Sequence, residues 1–181
     1  MTTKICFLHT TINGTHNTNE DVSTKNLYNY ARLVALHYTI CNYENGELVE
    51  IKKSNTILKP KTINFTDNNG ITMEEAIKDG IDNNVVISQF KNDLSDVNVI
   101  VSHDINKHLK AIQVECFRTA ILIDFSKFTI IDTISFNHKY KYPTLLELAK
   151  NLKIKTKNIT IIDQIKVIFL NLYKTYISVT E

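Results

Sequence analysis

The sequence predicts a single α/β domain over residues 1–181, in which helices flank a mixed five-stranded sheet. The chain is 43% hydrophobic over its 181 residues, which is enough to build one sizeable core. Segments with strand character fill the first third, and helix-like and strand-like segments alternate after it. We therefore expect strands one to three to form an antiparallel meander, which two further strands extend.

The meander is predicted by three apolar segments and one turn signal. Lys4–Thr11 alternates in hydropathy and indicates a central strand, whereas the polar, Asn- and Thr-rich residues 12–31 indicate an insertion or loop. Arg32–Tyr43 and Glu47–Leu58 are the next two strands. Between them stands Asn45-Gly46, a strong hairpin signal because both residues tolerate a positive φ.

The rest of the chain alternates between helices and strands. Glu75 follows Thr72 at the spacing of a capping box, and Asp104 is the predicted N-cap of a longer helix. In chain order we expect a helix from Thr72, a helix over Val85–Leu94, a strand over Val97–Val101, a helix from Asp104 to Arg118, a strand over Phe128–Thr133, and closing helices from Thr144 and Thr160.

Composition narrows the class of protein. The sequence shows neither a signal peptide nor an apolar run that could span a bilayer, so we expect an intracellular protein, cytoplasmic or nuclear, with no membrane partner. Three cysteines without C-x-x-C spacing predict neither a disulfide framework nor a zinc knuckle. The abundance of Ile, Asn, Lys and Thr is typical of an AT-rich genome, such as that of a virus, a parasite or certain bacteria.

Three blocks of sequence resemble those of one enzyme family. Phe7–Gly14 reads F-L-H-T-T-I-N-G, similar to F-x-D-T-E-T-T-G; Val99–Lys110 is similar to V-x-x-G-H-N-x-x-F-D-L; and Phe128–Thr133 ends in a matching D-T pair. The chain therefore resembles the DnaQ-like (DEDDh) 3′–5′ exonucleases over roughly Lys4–Leu172. That resemblance implies the RNase H-like fold.

The resemblance also implies an active site whose acidic residues are largely replaced. The first metal-binding aspartate of the family corresponds to His9, the glutamate to Thr11 and the second aspartate to His108. In one register of the last motif, Asn158 stands for the general-base histidine and Asp163 is the one retained carboxylate; a register shifted by two residues would leave no carboxylate. Two-metal hydrolysis needs anionic oxygen ligands for Mg²⁺ or Mn²⁺, so we expect a degenerate site.

Three hypotheses for function remain open at this point. The first is a pseudoenzyme without a cofactor, which binds single-stranded or 3′-terminal nucleic acid or serves as a scaffold in a larger complex. The second is an active exonuclease in which His9, His108 and Asp163 converge on Mn²⁺, Zn²⁺ or Fe²⁺ in preference to Mg²⁺. The third is a purely structural subunit of a replication or transcription assembly.

Residues that would contact nucleic acid follow partly from the resemblance and partly from residue chemistry. In the family, residues beside the first motif hold the terminal nucleotide, which corresponds here to Leu8 and Thr10. Lysines can bind phosphate, and tyrosines interleaved with lysines can stack on bases. The predicted contacts are Leu8, Thr10, Lys107, Lys110, Tyr140 and Tyr142. His103 is expected to make structural hydrogen bonds at the end of a strand.

Overall fold

A five-stranded mixed sheet forms the centre of the molecule, in the order β3-β2-β1-β4-β5. The computed structural model describes residues 2–18, 20–61, 70–135 and 142–180. Neighbours in the β1–β2–β3 meander are antiparallel, and β1–β4 and β4–β5 are parallel. The predicted fold class is thus confirmed. The strands are β1 (Thr3–Ile12), β2 (Leu33–Glu44), β3 (Glu47–Ile57), β4 (Val99–Ser102) and β5 (Thr129–Asp132).

Helices cover both faces of this sheet. They are α1 (Met73–Asp79), α2 (Asn83–Asp93), α3 (Ile105–Thr119), α4 (Leu145–Asn151) and α5 (Ile161–Thr180), with short 3₁₀ turns at Leu27–Asn29 and Phe125–Lys127. Thr72 and Thr144 begin α1 and α4 with complete capping boxes. In the described part of the chain, no helix is both long enough and apolar enough to cross a membrane.

The β2–β3 hairpin turns at Asn45 and Gly46, whose φ angles are 53° and 82°. Two positive φ values are what a two-residue type I′ turn requires, so the sequence signal had the right physical cause. A register shift between Ile40 and Cys41 places one bulge in this pair of strands.

Alternation along β1 divides the core into two layers. Cys6 and Leu8 pack toward α2 and α3, whereas Ile5 and Phe7 pack toward α5. The Phe7 ring meets that of Phe169 edge-on, with 5.5 Å between centroids.

The start of α3 differs from the prediction. Asp104 has a left-handed backbone (φ 59°) and its side chain makes no capping bond. The Asp132 carboxylate instead accepts hydrogen bonds from the backbone N–H groups of Asp104 and Ile105, both at 3.0 Å. A residue that caps through its own side chain needs an extended backbone, so the left-handed turn leaves this task to the end of β5.

Candidate functional site

A cleft opens where the carboxyl ends of β1 and β4 meet the beginnings of α3 and α5. Its first lobe has a volume of about 420 Å³ and its second about 400 Å³; His9 and Ile161 line both. The first lobe is otherwise lined mainly by His103, Asp104, Lys107, His108, Tyr142 and Ile165. The second includes Thr11, His37, Asn55, Ile57 and Thr160.

Two histidines lie side by side at the cleft: His9, which lines both lobes, and His108, which lines the first. The rings of His9 and His108 lie 4.7 Å apart between centroids at an angle of 60°, and we call them the histidine pair. On its other side, His9 stacks at 6.5 Å on His37 of β2. The structure thus brings together two of the four positions that the resemblance assigns to metal binding, and Thr11 lies in the adjoining lobe.

The bonding of His108 fixes where its proton lies. The backbone N–H of Thr10 donates to His108 Nδ1 at 3.1 Å, and the Thr10 hydroxyl lies 2.8 Å from the same nitrogen. Because a backbone N–H can only donate, Nδ1 supplies its lone pair to this bond, and the neutral ring carries its proton on Nε2. Neither nitrogen then offers a lone pair to a metal ion unless the bond to Thr10 is broken.

Both rings of the histidine pair are uncharged near neutral pH. Burial, reinforced by the neighbouring His9, lowers the pKa of His108 to about 3. Burial and the adjacent His37 lower the pKa of His9 to about 4. The described part of the chain places no salt-bridging carboxylate against either ring, which is the contact that would favour the protonated form.

Asp163 lines neither lobe of the cleft, so the described residues do not show the three-ligand cluster of the second hypothesis. Its carboxylate accepts the Thr160 hydroxyl at 2.7 Å and lies 3.4 Å from Lys166 Nζ. On α5 the cleft is lined instead by Ile161 and Ile165. Asp163 lies two residues from each of them, which is about 200° around a helix, so its side chain points elsewhere.

The position of Asp163 favours the alternative register of the last motif. Shifting it by two residues places Thr160 and Ile165, both of which line the cleft, at the histidine and aspartate positions of the family. Asn158, the predicted counterpart of the general base, is exposed with a left-handed φ of 66° and lines neither lobe. Across the described ranges, no group of three or more His, Cys, Asp or Glu side chains is placed to hold a metal ion.

Two predicted contacts to a terminal nucleotide are not available on the surface. Leu8 is fully buried and packs in the core beneath α3, because even-numbered side chains of β1 point away from α5. Thr10 is also buried, and its N–H and hydroxyl both face His108. The first sequence block locates the end of β1 beside the cleft, but side chains alternate along this strand. That alternation places Leu8 and Thr10 in the interior.

The lysines and tyrosines predicted to contact nucleic acid do not all lie at the cleft. Lys107 and Tyr142 line the first lobe, and Tyr142 is 79% exposed. Lys110 instead lies outside the cleft, with its Nζ 5.4 Å from the centroid of the Tyr30 ring. Tyr140 lies outside the described residues.

His103 connects three elements around the cleft, as its predicted structural role requires. Its Nε2–H donates to the Pro143 carbonyl at 3.0 Å, and its Nδ1 lies 2.8 Å from the Thr133 hydroxyl. These bonds tie the end of β4 to the end of β5 and to the start of α4. Sequence reasoning missed Ile161 and Ile165 as lining residues, although their spacing of four at the start of a helix predicts a shared face.

Known structures show where this architecture recurs. By sequence the chain matches no protein-family profile and no curated protein. By structure it superposes on product-bound exonuclease I with a TM-score of 0.69 and 13% identity, covering 96% of this chain and 43% of that one. The chain has the fold of the DnaQ-like, RNase H-like exonucleases. It spans less than half of that exonuclease I chain.

Two further structures share the fold over more of their own length. One is a 3′-exonuclease described in the 3′-end-specific recognition of a histone mRNA stem-loop, with a TM-score of 0.66 and 12% identity over 94% of this chain and 62% of that one. The other is CAF1, from the structure of the yeast NOT1 MIF4G domain co-crystallised with CAF1, with a TM-score of 0.66 and 14% identity over 97% of this chain and 79% of that one. At these identities the likeness establishes the fold alone.

Proposed function

We propose that this chain is a non-catalytic homologue of the DnaQ-like 3′–5′ exonucleases that binds single-stranded or 3′-terminal nucleic acid without cleaving it. The observation that carries the proposal is the bonding of His108. This ring occupies a position where the family places a metal-binding aspartate, and its acceptor nitrogen is engaged by the Thr10 N–H. It acts as a polar crosslink between α3 and β1.

The rest of the histidine pair's surroundings supports the loss of catalysis. Two divalent cations close together are stable only among several anionic oxygens, whereas the described lining of the first lobe offers neutral imidazoles, isoleucine side chains and the single carboxylate of Asp104. A His9 pKa of about 4 leaves that ring a weak base at neutral pH. We accordingly expect no cofactor.

The cleft retains properties that suit a nucleotide. Its first lobe, at about 420 Å³, falls within the usual range for small-ligand sites. Tyr142 presents an exposed ring on which a base can stack, and Lys107 supplies a cation for a phosphate. The neutral histidine pair removes the negative charge that carboxylates at these two positions would create, so a phosphate can approach without a metal.

The nearest alternatives differ in what the cleft does. A structural subunit of a replication or transcription assembly would use the same fold without nucleic acid. A metal-dependent nuclease would require Asp163 to leave its contact with Thr160, and His108 to leave that with Thr10. One experiment separates these possibilities.

The test measures binding and cleavage of a 3′-labelled single-stranded oligonucleotide by the full chain, with Mg²⁺, Mn²⁺, Zn²⁺ or Fe²⁺ and without metal. We expect binding under all conditions and no product. Tyr142→Ala should weaken binding by roughly 5- to 100-fold, the range for loss of one base stack. Tyr28→Ala is the matched control, since Tyr28 is also strongly exposed but does not line the cleft. Cleavage that His9→Ala abolishes would overturn the proposal.

A further inference from the structure

The end of α4 and its connection to α5 carry a concentrated positive charge. Residues 150–157, here called the lysine linker, contain no Asp or Glu and four exposed lysines: Lys150, Lys153, Lys155 and Lys157. The formal charge of the whole chain is only +2, so the remainder of the molecule is net negative. Among the residues that the structure describes, no acidic side chain forms a salt bridge with these lysines.

Alternation in the linker sequence explains why the lysines point outward. Leu152 and Ile154 pack against the buried cluster that includes Leu148 and Ile168, which leaves the odd-numbered lysines facing solvent. Lys153 adopts a left-handed φ of 56°, and the Ile154 N–H bonds to the Ala149 carbonyl at 2.9 Å. This Schellman-type closure fixes the backbone where the linker leaves α4, which reduces the ordering required there when a ligand binds.

The C-terminal end of this segment adjoins the cleft. Thr160, just after the linker, lines the second lobe, and α4, which leads into the linker, begins at the first lobe with Thr144 and Leu145. Lys157 precedes Thr160 by three residues, a reach of at most about 11 Å along the backbone. A chain-like ligand leaving the cleft on this side would therefore meet the lysines directly.

We propose that the lysine linker binds the phosphate backbone of a single-stranded nucleic acid whose end occupies the cleft. The inference rests on the proposed function, and it adds the path of the strand and the residues that hold it. Lysine is a point charge that attracts phosphate without reading bases, so this surface contributes affinity but not sequence preference. The rest of the molecule is net negative and repels a polyanion, so the electrostatic field directs the polyanion to the lysine linker.

The test compares two triple variants of the full chain that remove the same charge. K153Q/K155Q/K157Q alters the linker, and K25Q/K78Q/K91Q alters exposed lysines elsewhere that make no salt bridge to described residues. Affinities for a trinucleotide and for a single-stranded 15-mer are measured over a salt series. We expect the linker variant to lose about tenfold or more in 15-mer affinity at low salt and about two from the log–log salt slope. Its trinucleotide affinity should be unchanged.

The outcomes distinguish this inference from the proposed function. Equal losses in both triple variants, or a 15-mer bound no more tightly than the trinucleotide, would refute the linker's role and leave cleft binding intact. No binding of either oligonucleotide by the wild-type chain would overturn both. If the linker variant instead loses affinity only for phosphatidylcholine/phosphatidylserine vesicles, the surface recognises lipid headgroups and the inference fails.

Discussion

Helix α3 carries two buried polar side chains, His108 and Glu115, whose surroundings differ in charge and in hydrogen-bond partners. They are seven residues apart and expose 4% and 0% of their surface. His108, at the cleft, is a neutral ring bonded to backbone. Glu115, nearer the other end of the helix, sits within a network of cations and amide donors.

The surroundings of Glu115 show what a buried charge requires. Its carboxylate accepts Arg118 Nη1 at 2.7 Å, Asn83 Nδ2 at 2.9 Å and the Leu33 N–H at 3.3 Å. Arg118 also donates to the carbonyls of Leu27 and Tyr30, both at 2.8 Å. The network thereby fastens the β1–β2 connection and the start of β2 onto α3.

The contrast between Glu115 and His108 shows that a buried side chain on α3 is charged where cations and hydrogen-bond donors surround it, and neutral where they do not. Converging donors and a guanidinium compensate the desolvation of Glu115, which a lone carboxylate could not withstand. At the cleft the family solves the same problem with metal ions. Here a neutral side chain that bonds to a backbone N–H occupies the position instead.

The largest expected effect comes from breaking the charged network. Glu115→Ala leaves Arg118 without its buried partner, so we expect the free energy of unfolding to fall by about 3–5 kcal/mol. Urea denaturation followed by circular dichroism measures the loss. Glu74→Ala, at an exposed position in the first turn of α1, is the control and should cost under about 1 kcal/mol. Similar losses in the two variants would show that the network contributes little.

A smaller, pH-dependent effect is expected at the histidine pair. The pKa of His108 lies below its ordinary value when folded, so between about pH 6.5 and 3 only the unfolded chain binds this proton. Stability is therefore full above pH 6.5 and declines on acidification, by up to about 1.4 kcal/mol per pH unit for this group.

His108→Asn removes that proton site and can retain an acceptor for the Thr10 N–H. Urea melts between pH 6.5 and 4.5 should show a shallower pH slope than the wild-type chain, with less flattening for His9→Asn at the more exposed ring. An unchanged slope in His108→Asn would mean that His108 titrates normally in the folded protein.

The smallest effect is expected at Lys110, which lies on α3 between the two buried sites. Lys110→Gln removes the cation over the Tyr30 ring and should lower the free energy of unfolding by about 0.5–1 kcal/mol. Because Lys110 lies outside the cleft, oligonucleotide affinity should stay at the wild-type value, whereas Lys107→Gln should reduce it. Fluorescence anisotropy compares the two variants, and equal reductions would show that the ligand also contacts the Tyr30 side of α3.

Local signals predicted the fold because each acts over a few residues. The Asn45-Gly46 turn, the capping box of Thr72 with Glu75 and the period of β1 are all decided by neighbours in sequence. The cap of α3 was not predictable in this way. The carboxylate that caps α3 belongs to Asp132 at the end of β5, which is distant in sequence from the start of the helix.

The candidate site was predicted in part for the same reason. Strand and helix order sufficed to bring His9 and His108 together, since β1 and the start of α3 meet at the sheet's end. The placement of Asp163 depended on which face of α5 turns toward the cleft. The last motif can be aligned in two registers, so the sequence alone does not determine that face. Isoleucines at spacing four marked the inner face more reliably than the lone acidic residue.

The borrowed cap of α3 also bears on the order of folding during synthesis. A 15-residue helix is only marginally stable alone in water, and the carboxylate that satisfies its first N–H groups lies 28 residues beyond Asp104. On the ribosome, α3 is therefore made well before its cap emerges. The short edge strand β5 supplies the cap of α3 only after residue 132 has been synthesised. A nascent chain that stalls before residue 132 therefore carries an uncapped α3.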